Sequence, residues 1–379
     1  MGASAAATAQ GMATRHRRSV KAVVAGVGEI NALLAKMVKK GKIKWGGYGT
    51  NCEWYVRKLK ETSSWVTGQL GTRSFEEKDP MDQATLPYCF IDETYGVSEK
   101  SIKTNRAAGS EKLYDIQKEN ARNAQTALYR ALATSVYSDG TDALEPVGLR
   151  AICADPGEDT NEIQTYNGVA SYAGIQLQAA QISTWVAQPT GTGGMGWTNE
   201  YWYPTAISPT QIPTNSNSKW SLDCILYLAW MEHQMSRTAD ISGTGRILKP
   251  DLALMSTDPW AQLVAKLATA QVGSAGSIPI GTTDMVLADF PTIRVGALDC
   301  VFDENVPNGT AATPLEMVFV IDSKAFYIDS LNTKSEGLVE GDWKADDPEV
   351  VGGVGMYKCN MATVCETPQA VGVIVGCHD

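Results

Sequence analysis

Histidine is scarce, long apolar runs are missing and no acidic residue precedes position 29, and each shortage bears on what the chain can do. Three His in 379 residues leave little for acid–base or metal chemistry. His16 lies in a basic tail, His233 ends an apolar run and His378 stands beside Cys377; none has an Asp with a Ser or Cys at suggestive spacing, and no Gly-x-Ser-x-Gly elbow occurs. A nucleophilic triad is not expected. The eight Cys, at 52, 89, 153, 224, 300, 359, 365 and 377, include no C-x-x-C pair, and Cys359, Cys365 and Cys377 with His378 are too irregular for zinc. Buried thiols in strands are expected instead. No stretch comes near the roughly 18 uncharged apolar residues of a membrane helix; Val318 to Ile321 and Val371 to Val375 are the best and far too short. The opening MGASAAATAQ has no apolar core behind a basic start, so no secretory signal is expected and the thiols should stay reduced.

What is present is ordinary globular material with one strong asymmetry. Hydrophobic residues make up 44% and charged residues 20%, enough to fold most of the chain. Its 379 residues exceed what one core comfortably serves, so two or more sub-structures are expected. The net charge of −10 hides opposites: residues 1–60 hold twelve Lys and Arg against Glu29 and Glu53, a balance of +10, and the remainder carries −20. Such a basic arm docks on nucleic acid or on the acidic body of another copy, or it stands solvated.

Residues 1–14 are rich in Ala, Gly and Thr and bury nothing by themselves. From Ser19, a possible N-cap, the series Val20, Val23, Val24, Val27, Ile30, Leu34 and Val38 predicts one amphipathic helix to Lys40, stopped by Gly41. About fifty polar residues follow, in which Cys52 to Val56 alternate as in an exposed ribbon, and they predict a protruding hairpin. Ser110 caps a long helix to about Tyr137, with Leu113, Ile116, Ala124, Leu128, Ala131 and Ser135 on one face. Strands are expected at Val147 to Cys153 and Ala180 to Ala187, a buried helix after Ser221, and a helix with Asp258 as N-cap and Pro259 at its first position. Beyond Ile278 the signals are strands: Met285 to Leu287, Thr292 to Val295, Met317 to Ile321, Met356 to Cys365 and Ala370 to Val375.

Three motifs invite a ligand and fall short. Val23 to Asn31 holds Gly26-x-Gly28 as in a dinucleotide turn, but Asn31 stands at the third glycine and no second βα unit follows, so an arm helix is favoured. Gly191 to Gly196 also fits loosely, yet Trp197 to Pro204 cannot begin the helix that would hold a phosphate. Asp155 to Glu162 is acidic without EF-hand spacing and is expected to be a solvated turn. No cofactor, no metal and no enzymatic activity is expected.

Taken in order, the pieces resemble one family. The basic arm, the extended hairpin, a spine helix ending in Tyr137-Ser138-Asp139-Gly140-Thr141, and Pro146 to Ile152 after it are similar to tailed-bacteriophage major capsid proteins. Lys249-Pro250-Asp251-Leu252-Ala253-Leu254-Met255 leading into Asp258-Pro259-Trp260 resembles the strand and helix of that family's axial domain. Met356 to Gly376, with Glu366 to Ala370 between two strands, resembles the closing strands of its peripheral domain. The resemblance covers nearly the whole chain and lies in the order of elements.

It implies an α+β chain with the tailed-phage major capsid fold: an N-terminal arm over 1–45, an extended loop over 46–108, a peripheral domain with spine helix over 109–220, an axial domain over 221–350 and closing strands over 351–379. It implies self-assembly as pentamers and hexamers into an icosahedral head shell in the virion, put together in the host cytoplasm and enclosing double-stranded DNA without sequence-specific binding. Arg15, Arg17, Arg18, Trp45, Trp54, Arg57, Lys58, Lys60 and Trp65 are the expected inter-subunit contacts. No long scaffold-like segment precedes the arm, so a separate or removed scaffolding protein is expected, with a portal and optionally a decoration protein as further partners and no membrane. The Lys, Asn and Glu trio that some members use for cross-linking finds no counterpart here. Two other readings stay open: an encapsulin-type nanocompartment shell, and, for the Trp-, Thr- and Asn-rich region 160–220, a carbohydrate-binding or hydrolytic β protein.

Overall fold

The computed structural model describes residues 31–57, 81–98, 110–138, 140, 142, 144–156, 163–165, 171–176, 181–182, 205–207, 220–237, 248–273, 292–307, 317–334, 338–344, 352–375 and 377. Helix α1 (Ala32–Lys39) is followed by β1 (Ile43–Trp45), β2 (Asn51–Arg57), β3 (Met81–Pro87), β4 (Cys89–Ser98), the long helix α2 (Ser110–Ser135) and the single turn α3 (Leu149–Ile152). Short strands β5 (Ala154–Pro156), β6 (Ile163–Thr165), β7 (Ser171–Tyr172), β8 (Ile175–Gln176), β9 (Gln181–Ile182) and β10 (Thr205–Ile207) lead to α4 (Trp220–Arg237), β11 (Leu252–Met255) and α5 (Thr257–Gly273). Strands β12 (Thr292–Val295), β13 (Leu298–Phe302), β14 (Met317–Ile321), β15 (Phe326–Ser330), β16 (Val339–Lys344), β17 (Gly352–Cys365) and β18 (Val371–Val375) follow.

Period-two side chains build a mixed seven-stranded sheet in the order β12-β13-β11-β14-β18-β10-β9. Leu252 and Leu254 of β11, Met317, Phe319 and Ile321 of β14, and Val371 and Val373 of β18 enter one core. The alternate residues Ala253, Met255, Val318, Val320 and Ile374 enter a second core with Tyr227, Leu228 and Met231 of α4 and Leu263 and Leu267 of α5. Cover on both faces is why these strands are continuous apolar runs. Gly372 lets α4 come close: a Cβ there would meet the sulfurs of Met235 at 2.8 Å and Met231 at 2.9 Å.

The other large sheet is organised by β17. Both Cys89 of β4 and Ser330 of β15 pair with Met361, so these strands flank β17 on opposite sides, and β16 continues along the side of β15. β1 adds to β15 in parallel. Helix α2 lies along β4, where Asn120 donates its side-chain N–H to Gly96 O at 3.2 Å. Two crossings join the sheets. One runs from β14 through a 3-10 turn, Ser323–Ala325, into β15; the other runs from β17 through Pro368–Ala370 into β18. They are tied by Asp322 N–H to Ala370 O and Glu366 N–H to Ala325 O, both 3.0 Å.

Several expectations move. A single helix from Ser19 to Lys40 is broken at Asn31, whose backbone is extended and whose side chain accepts from Leu33 N and Leu34 N; it caps α1, as Asn does when it offers the backbone a side-chain acceptor. The stretch 19–30 lies outside the described residues, as do Gly26, Gly28, the Gly191 to Gly196 run and Met285 to Leu287. On α2, Ala131 is exposed and Leu132 is buried, the larger side chain taking the core position. Val147 to Cys153 is no strand: Leu149–Ile152 forms a helical turn. Gly148 starts it because a Cβ there would strike Ser138 N and lie 2.7 Å from Ser135 O. Helix α5 opens before Asp258, since Trp260 N–H already bonds Ser256 O. Helix α4 starts at Trp220 and is kinked at Asp223, so Ser221 lies within it. Strand β4, expected within the hairpin, belongs to the sheet of β17, and the two expected closing strands are divided, β17 in one sheet and β18 in the other.

Candidate functional site

Two features have geometry suited to a role beyond folding: the β2–β3 hairpin and the buried arm helix. Strands β2 and β3 pair antiparallel from Asn51 opposite Pro87 to Arg57 opposite Met81. Alternation then sorts their side chains. Cys52, Val56, Ala84 and Leu86 point to the core, and Trp54 packs against it. Glu53, Tyr55, Met81 and Gln83 face outward, with Gln83 Nε2 donating to Glu53 Oε2 at 2.7 Å across the strands. Tyr55 is 71% exposed and Met81 45%, while Tyr48 and Phe90 on the flanks are 90% and 67% exposed. Four of the seven exposed large hydrophobics among the described residues thus fall between positions 48 and 90.

The hairpin's root is held by polar contacts. Gly46 N–H donates to Asn332 O and Gly47 N–H to Ser330 O, both at 3.0 Å. Cys52 Sγ donates to Asp329 Oδ2 at 3.1 Å, and burial, with that carboxylate beside it, pushes the thiol up to about 12. It is a neutral hydrogen-bond donor at physiological pH and no nucleophile. Lys44 Nζ sits 3.5 Å from the centre of the Tyr327 ring.

Helix α1 is sealed inside the protein. Ala32, Leu33, Leu34 and Met37 enter the core shared by the two sheets. Asn31 Nδ2 reaches Ala133 O near the end of α2 at 3.4 Å. Lys36 is 2% exposed and its Nζ lies 2.9 Å from Asp251 Oδ2, in the strand entry to β11. Asp251 also accepts from Ser323 N–H at 2.8 Å and Ser323 Oγ–H at 2.7 Å, in the first crossing between sheets. Next to it, Asp322 accepts from Lys249 N–H and Lys324 N–H, both at 3.0 Å. Tyr137, after α2, donates to Asp303 Oδ2 at 2.7 Å; burial pushes both groups above their ordinary values.

Of the expected contact residues, Arg15, Arg17, Arg18, Lys58, Lys60 and Trp65 lie outside the described residues. Trp45, on β1, is half-buried against the chain's own core. Trp54 donates Nε1–H to Glu366 O at 3.2 Å and lies 6.4 Å from the Tyr172 ring, so it anchors the hairpin to its own subunit. Arg57 closes the ladder opposite Met81. The outward apolar residues are Tyr55, which the alternation of residues 52–56 could have indicated, and Met81, whose place follows from its pairing with Arg57. Lys36 and Asp251 were not singled out either: a lysine at a helix end looks solvated, and its partner is 215 positions away. All eight Cys are buried, and none forms a disulfide. His233 is exposed on α4, and among the described residues no three His, Cys, Asp or Glu side chains gather as metal ligands. No helix there is long and apolar enough to cross a membrane.

No protein-family profile matches the sequence, and no curated protein matches it. Solved structures do match. The capsid of an empty GTA particle computed with C5 symmetry is similar over 89% of this chain and 96% of its own, at 12% identity and a TM-score of 0.50. The chain has the tailed-phage major capsid fold. A structure from Mycobacterium phage Bobi is similar over 91% of this chain and 90% of its own, at 13% identity and a TM-score of 0.46. The holo-SrpI encapsulin complex from Synechococcus elongatus is similar over 88% and 84%, at 10% identity and a TM-score of 0.46.

Proposed function

We propose that the chain is a major capsid protein whose copies assemble as pentamers and hexamers into an icosahedral head shell around the double-stranded DNA of a tailed phage. One observation carries this: in a chain with the capsid fold, the β2–β3 hairpin is tied to its own subunit along one face and presents Tyr55 and Met81 on the other. Apolar side chains on an outward face mark a surface that another macromolecule covers. Here the cover is a neighbouring copy. Arg15, Arg17, Arg18, Arg57, Lys58 and Lys60 extend the contact onto acidic surfaces of that copy, since residues 1–60 carry +10 and the rest −20, and Trp65 adds apolar area to it. Trp45 and Trp54 hold the root from which the hairpin reaches out. In this reading the peripheral domain is α2 with the sheet of β17, and the axial domain is the seven-stranded sheet with α4 and α5. A scaffolding protein, a portal and, in some shells, a decoration protein act with it in the host cytoplasm, and the site of function is the virion. An acidic body suits a container that must release its DNA, because each phosphate contact adds affinity.

Light scattering and electron microscopy of the purified protein, alone and with co-expressed scaffold, should show closed megadalton particles. Monomers to tetramers under both conditions would sink the proposal. Nucleic acid extracted from native particles supports a phage head; a defined protein cargo in its place supports the encapsulin-type reading.

A further inference from the structure

Helix α1 carries a charge where its neighbours are all apolar. Leu33, Leu34 and Met37 fill the core between the two sheets. Lys36 is 2% exposed, and among the described residues it is the one buried basic side chain. Its ammonium pairs with Asp251 Oδ2 at 2.9 Å, with Asp251 O a further 3.4 Å contact. That carboxylate is not free to follow: Ser323 N–H and Oγ–H hold it at 2.8 and 2.7 Å against the first crossing. The pair therefore joins three bodies at one point: the arm helix, the seven-stranded sheet through β11, and the link to the sheet of β17.

The link itself is held mainly by backbone hydrogen bonds between its two crossings. It consists of two short crossings, each with a 3-10 turn, and the second contains Gln369 Oε1 and Nε2 and Thr367 Oγ1, buried with no hydrogen-bond partner among the described residues. Unsatisfied groups there cost free energy that the surrounding fold has to offset. Buried ion pairs contribute little net stability against apolar residues of the same size; their best use is to specify one geometry, because every other geometry strands a charge.

We propose that Lys36 and Asp251 are positioning residues that fix the angle between the two sheets, and so select the curvature and diameter of the shell; this rests on the shell-forming function proposed above. Every subunit repeats the same angle, so a small spread within one chain becomes a spread of particle sizes.

The test uses the full-length chain assembled into particles, comparing the parent with Lys36→Met and with Lys36→Met/Asp251→Asn. The double variant is neutral and keeps an acceptor for Ser323 N–H. Lys36→Met alone should lower the Tm of the unassembled subunit, because Asp251 loses its counter-charge, and should broaden particle diameters in cryo-electron microscopy. The double variant should recover the Tm and keep the broadened diameters, or give folded subunits that close no shell. Both outcomes support an angle-setting role, since a merely stabilising pair would be rescued in both readouts. Particles of the parent's single diameter from the double variant overturn it. If the double variant is insoluble, Lys36→Met decides: particles of the parent's single diameter from it overturn the role. A parent that forms no closed particle removes the shell function itself; parent particles with unchanged variant diameters remove only the angle-setting role.

Discussion

The seven-stranded sheet and the β2–β3 hairpin use the same backbone arrangement and bury it differently. All five residues of β14 are buried, with Phe319 against Tyr137 and the core below and Val318 and Val320 against α4 and α5 above. In β2 and β3 one face is anchored and the other is left to solvent. A strand covered on both faces by its own chain serves folding; a strand covered on one face keeps the second for something outside it.

The contrast can be broken at its strongest point first. Phe319→Ala should cost about 3–5 kcal/mol of folding stability in thermal or urea unfolding, the usual range for a buried aromatic. Tyr55→Ala, on the open face, should change the same measurement by less than about 0.5 kcal/mol while reducing particle yield. Equal losses of stability for the two variants would erase the distinction between the regions. Next in size, Gly148→Ala should cost about 1–3 kcal/mol, because the added methyl strikes the end of α2.

Tyr137→Phe should cost about 1–3 kcal/mol by removing a buried donor from Asp303. Asp303 also sharpens the comparison through pH. Burial raises its folded value, so its contribution to stability is complete below the ordinary carboxyl value and is lost as pH rises through the raised one. Asp303→Asn cannot ionise, so in urea unfolding its stability relative to the parent should increase from acid to neutral pH. At the small end, Trp54→Phe should cost about 1 kcal/mol through the lost bond to Glu366 O. Reversing Arg57, Lys58 and Lys60 to Glu should leave circular dichroism unchanged and weaken assembly, most of all at low salt, where repulsion is least screened.

Legibility followed the same division. The runs 317–321 and 371–375, the helix after Pro259 and the long α2 were plain in the sequence, since their patterns are local and their cover comes from the same chain. The start of α1 was missed because Asn31 suits a helix interior and a cap alike until its acceptors at Leu33 N and Leu34 N are seen. Val147 to Cys153 looked like a strand because its apolar residues say nothing of the close approach that only Gly148 permits. At the hairpin, Trp45, Trp54 and Trp65 were expected as outward contacts; alternation sends Trp54 in and Tyr55 out. The Lys36–Asp251 contact spans 215 positions, beyond any local pattern.

Strand β18 lies between β14 and β10, inside the seven-stranded sheet, although it is the last strand in the chain order. The nascent chain on a ribosome therefore cannot complete this sheet before residue 375 has been made. Until then β14 offers an unpaired edge, and the crossing that ties Asp322 to Ala370 does not exist. Domains of many proteins fold from the N-terminus as they emerge, at roughly 5–20 residues per second. This sheet has to wait for residue 375, and until then the open edge of β14 is a template on which a second growing chain can pair.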